Sequence, residues 1–136
     1  MDTDRFQAKI YIERLRQAVR VLENLSEGDR ALFSVDIWAA VRGSGVAACI
    51  AGHCGLDPWF QAEGLRTIEG GPDPHDIGTV YPHPIEFFGT ETAFYRHTYG
   101  PEFCERAITV DDAIAAVKRA ISEFASAPAG ELCATT

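Results

Sequence analysis

Two amphipathic stretches, one near each end of the chain, constrain its fold more than any other feature. Between residues 5 and 25, Ala8, Tyr11, Leu15, Ala18, Leu22 and Leu25 recur at steps of three and four. That spacing gathers apolar side chains on one face of an α-helix, and Arg14, Arg16, Arg20 and Glu23 fall largely outside the stripe. The SEGD segment that follows predicts the helix end, with Gly28 free to take the left-handed conformation of a C-terminal cap. In the second stretch Val110, Ile114, Val117, Ile121 and Phe124 repeat the four–three spacing. Thr109 is placed to cap the first exposed amides there, and Asp111 and Asp112 sit at the positive end of the helix dipole. Beyond Ala125 the sequence SAPAGELCATT has no apolar period, which predicts a frayed tail over 127–136.

The segment 42–55, RGSGVAACIAGHCG, lies between them. Ser44 can cap a helix beginning at Val46, and from there to Cys54 there is no charged residue. A helix that is apolar all round is buried, so a short central helix over 46–54 is expected. Residues 31–38, ALFSVDIW, have the residue types of a minor strand. Asp57-Pro58 opens a short helix through WFQAE, with Gly64 past its end. Residues 70–84, with four prolines and three glycines, predict a long surface loop. Pro84–Phe88 and Thr90–Tyr99 read as two helical turns split by Gly89. The expected fold class is mainly α: a single compact helical domain over 1–126, its two long amphipathic helices packed over a short central helix.

Composition narrows the partners. The chain has 136 residues, 46% of them hydrophobic, enough for one core. Its formal charge of −8 repels phosphate backbones, so no nucleic-acid partner is expected. Residues 55–105 hold only Arg66 and Arg96 as cations, so a surface built there suits a basic partner. No apolar run approaches bilayer length, and the start MDTDRFQAKI lacks the basic-then-apolar order of a secretory signal. A cytoplasmic location is therefore expected, with Cys49, Cys54, Cys104 and Cys133 as thiols.

Several residues invite chemistry. Cys49 and His53, four apart on one predicted helix, could supply two metal ligands. A structural zinc needs four, and His75, His83, His97 and Cys104 have no close CxxC or HxxxH pairing. A nucleophilic thiol at Cys49 would need a cationic neighbour and a base, and no third group is identifiable. RGSG lacks both the spacing and the lysine of a phosphate loop. A helix-turn-helix reading fails because PWFQAEGL brings no basic residue to DNA. In the proline-rich loop, Asp73, His75 and Asp76 could hold a metal transiently. Among the aromatic residues, Trp38 and Phe88 are expected in the core. Trp59, opening a helix in an acidic setting with Phe60 and Glu63, is the expected interface anchor.

The chain also resembles a family of small uncharacterised proteins of phage and bacterial genomes. The resemblance runs over about residues 10–124 and rests on the glycine-led GVAACIAGH segment, the Gly64-Leu65 pair, the FFG at 87–89 and the TVDDA that introduces the last helix. Relatives carry CGT before ACIAGH where this chain reads GSG. The family implies a mainly helical domain and no settled activity. Together these readings lead to a non-enzymatic cytoplasmic accessory protein, phage- or mobile-element-encoded, that binds another protein without a cofactor; homo-oligomerisation is compatible with it. The alternative is a metal-dependent or thiol-using enzyme centred on Cys49, His53 and Cys54.

Overall fold

A computed structural model describes residues 2–36, 39–42, 45–68, 78–103 and 106–126. The first amphipathic stretch forms α1 (Asp2–Glu23) and the last forms α6 (Val110–Ser126). Leu15, Ala18 and Leu22 of α1 are fully buried, against Val117, Ala113 and Ala120 of α6 in one continuous cluster. The two long helices lie directly against each other. Thr109 caps α6 reciprocally: its hydroxyl accepts the Asp112 amide at 3.1 Å, while its own amide and hydroxyl donate to Asp112 Oδ2 at 3.0 Å.

The end of α1 departs from expectation. The helix stops at Glu23, where the Asn24 side chain donates to the Arg20 carbonyl at 2.7 Å. SEGD is a beginning rather than a stop: Ser26 Oγ accepts the Asp29 amide at 3.2 Å and caps α2 (Glu27–Ala31), which contains Gly28. A hydroxyl followed by two acids favours a helix N-terminus, and that preference outweighs the single glycine.

Strand and helix are also redistributed in mid-chain. Within 31–38, residue 31 ends α2 and 32–36 form turns, while 37 and 38, with Trp38, lie outside the described residues. The strand comes later, as β1 (Ala39–Arg42), paired antiparallel with β2 (Gly45–Ala48) in the register Ala39↔Ala48 and Arg42↔Gly45. The central helix is therefore shorter than 46–54: α3 spans Ile50–Cys54, and its cap is Cys49, not Ser44. Four residues of small and β-branched side chains pair as readily as they coil, and apolar content alone does not separate the two. All five residues of α3 are buried, and the helix packs on α1.

Next come α4 (Pro58–Ala62), the hairpin of β3 (Arg66–Ile68) and β4 (Thr79–Tyr81), and α5 (Pro84–Phe88). Asp57 accepts the Trp59 amide at 3.1 Å, Pro58 holds the first helical position, and Gly64 past the end has φ +100°. The surface loop expected over 70–84 is shorter, because 79–81 pair with β3 as Arg66↔Tyr81 and Ile68↔Thr79; residues 69–77 lie outside the described residues. Gly89 closes α5 at φ +74°, and a Cβ there would come within 2.3 Å of the Tyr11 ring. Of the helical turn expected over 90–99, only Arg96–Tyr99 is helical, as a 3₁₀ turn followed by another at Pro101–Phe103. Phe60, Phe87, Phe88 and Phe94 form one cluster of rings, tilted against one another except for Phe88 and Phe94, which stack with centroids 4.6 Å apart. The tail over 127–136 lies outside the described residues.

Candidate functional site

The sulfur and imidazole groups of mid-chain are buried. Cys49 is extended, at the point where β2 hands over to α3, and its sulfur accepts the Gly52 amide at 3.4 Å. Burial pushes its thiol up to about 11. Cys54 is fully buried and its thiol is pushed well above the ordinary range by desolvation, with the charges of Cys49 and Asp57 adding to the effect. Both sulfurs are therefore protonated at neutral pH, the opposite of the lowered pKa that marks an activated thiol nucleophile. His53 is buried and stacked on Phe33, with centroids 6.3 Å apart and planes 11° from parallel. Desolvation lowers its pKa and the nearby Asp29 opposes the shift, so the ring is neutral. Its Nε2 has no hydrogen-bond partner.

Among the described residues, no group of three His, Cys, Asp or Glu side chains converges as a metal site would. Elsewhere, His83 Nδ1 accepts the Ile85 amide at 3.3 Å and caps α5, with Tyr95 Oη 3.2 Å from its Nε2. His97 lies 3.7 Å from Glu91 at the surface. Residues 43 and 44 of RGSG, Asp73, His75, Asp76, Cys104 and Cys133 lie outside the described residues.

The segment from α4 to β4 has a different character. Trp59 is 39% exposed and meets Phe60 edge-to-face at 5.0 Å. Phe60, expected beside it in the interface, is instead fully buried. Successive positions of a five-residue helix point to different sides, and the Phe60 side faces Phe87 and Phe88. Glu63, at the end of α4, is exposed and lies 3.8 Å from Arg14. The Arg14 guanidinium sits 3.9 Å over the Phe87 ring and donates to the Phe87 carbonyl at 2.7 Å. One arginine of α1 thus holds α5 and lies beside the end of α4.

The hairpin of β3 and β4 follows α4 in the chain. Alternation puts Thr67 and Val80 inward, and Arg66, Ile68, Thr79 and Tyr81 outward. Thr67 is strapped to α3: its hydroxyl donates to the Gly52 carbonyl at 2.8 Å and its amide to the Gly55 carbonyl at 3.4 Å. Gly55 is needed there, since a Cβ would fall 1.9 Å from Thr67 Oγ1. Held by these bonds, Ile68 stands 64% and Tyr81 73% exposed. Neither residue was singled out by sequence reasoning. The signal available was the polar–apolar alternation of RTI and TVY, too short to stand apart from the surrounding loop residues. Comparison of the chain with protein-family profiles, curated protein sequences and solved structures finds no match.

Proposed function

We propose that the protein is a binding module that engages another protein through the surface built by α4, β3 and β4. The observation that carries this reading is distributional: the three large apolar side chains exposed among the described residues, Trp59, Ile68 and Tyr81, all come from this one segment of the chain. Solitary exposed apolar residues are ordinary, but three from consecutive elements fit an interface, where aromatic anchors supply most of the binding energy. Asp57 and Glu63 flank Trp59, and residues 55–105 contain nine carboxylates against two cations. The matching partner therefore presents an apolar pocket rimmed by basic side chains. The burial and protonation of both thiols, with a neutral His53, support a structural role for these groups over the thiol-using alternative.

The test is affinity capture with the parent chain and with Trp59→Ala and Tyr81→Ser variants, each checked by circular dichroism. Loss of a single anchor is expected to cost about 2 kcal/mol, roughly 30-fold in affinity. A partner held equally well by all three proteins would remove this surface from consideration.

A further inference from the structure

A second surface, independent of the first, lies between the two long helices. Arg16, Val19, Arg20 and Glu23 of α1 face Lys118 and Ile121 of α6 across an open groove of about 280 Å³. Val19 and Ile121 form an aliphatic floor, and three cations and one carboxylate stand around it. At 100° per residue, Arg14 falls on nearly the opposite side of α1 from this group. Arg14 is the residue that meets Glu63 of α4, so the groove and the α4 surface lie on opposite sides of the helix.

The charges here are not explained by the fold. Among the described residues, Arg16 and Lys118 take part in no ion pair, and the Arg20 side chain donates to Gln17 on its own helix, at 2.9 Å. Arg16 and Arg20 stand four apart on one helix, where like charges repel. This is a concentration of positive charge in a chain of net charge −8.

The geometry points to a docking groove for an acidic peptide segment of a partner protein. One aliphatic side chain of that segment seats between Val19 and Ile121, and flanking carboxylates meet Arg16, Arg20 and Lys118. Charge complementarity selects this occupant. A second copy, whose residues 55–105 carry nine carboxylates, is the rival occupant, and the oligomeric state of the charge-reversal variant separates the two. Glu23 at one end sets polarity, since a carboxylate placed against it is repelled and a basic residue there is favoured.

The experiment is selection of a displayed random dodecapeptide library on the full chain. Enriched peptides are expected to carry at least two carboxylates around an aliphatic residue. A synthetic copy of one such peptide is expected to bind the parent chain and to lose about tenfold or more in affinity to an Arg16→Glu/Arg20→Glu variant. Both arginines are exposed, and an unchanged thermal midpoint certifies the fold; if the double variant misfolds, Lys118→Glu probes the same groove from the other helix. The proposal is overturned if no acidic peptide is enriched, if charge reversal leaves binding intact, or if binding is lost on Trp59→Ala instead. A concentration-dependent dimer broken by the charge-reversal variant would also overturn it, by assigning the groove to a second copy. So would capture by vesicles containing anionic lipid in the absence of any peptide binding.

Discussion

His53 shows how burial governs a titratable side chain in this protein. Its ring is buried and stacked on Phe33, and desolvation holds its pKa below the ordinary 6.5 against the opposing pull of Asp29. The unfolded chain therefore binds this proton more tightly than the folded one. The stability contributed is complete above about pH 6.5 and declines as pH falls through the interval beneath it. Urea midpoints measured from pH 7 down to pH 5 are expected to fall. A His53→Leu variant, which keeps the volume and loses the titration, is expected to show a smaller fall. Equal slopes in the two proteins would place the pH dependence elsewhere.

At the level of single elements, α6 depends on its first turn. Thr109 and Asp112 satisfy each other's amides, and these bonds, the Thr109 amide foremost, hold the Asp112 carboxyl below the usual carboxylate range. Thr109→Ala should destabilise the protein by about 1 kcal/mol, read as a lower urea midpoint at unchanged slope. This cap, the stripe of α1, the Asp57-Pro58 start of α4 and the Gly89 stop of α5 were all legible in the sequence, because each rests on neighbours within four residues. The hairpins were not. Whether Val46 to Ala48 coils or pairs is decided by Ala39 to Val41 across the ladder, and whether Thr79 to Tyr81 is loop or strand is decided by Arg66 to Ile68. The interface expected at Trp59, Phe60 and Glu63 was legible in part. The tryptophan is exposed, but the burial of Phe60 follows from Phe87 and Phe88, more than twenty residues away in sequence, and a local pattern carries no trace of it.

Over the whole molecule, segments distant in sequence are fastened by single arginines. Arg96 reaches Asp36 through two nitrogens, at 2.8 and 3.4 Å, and donates to the Phe103 and Arg106 carbonyls at 2.8 and 2.9 Å. It ties the turn after α2 to the chain that leads into α6. Replacing Arg96 with alanine returns these mostly exposed acceptors to water, and should cost about 1 kcal/mol in the same urea assay. Lysine should restore little of that, since one ammonium cannot reproduce a fork of donors.

The thiol at the β2–α3 junction has a practical corollary. Shielded and protonated as it is, Cys49 can be alkylated only in molecules whose central layer has momentarily come apart. Its rate of modification relative to a free thiol is thus a gauge of how often that layer opens.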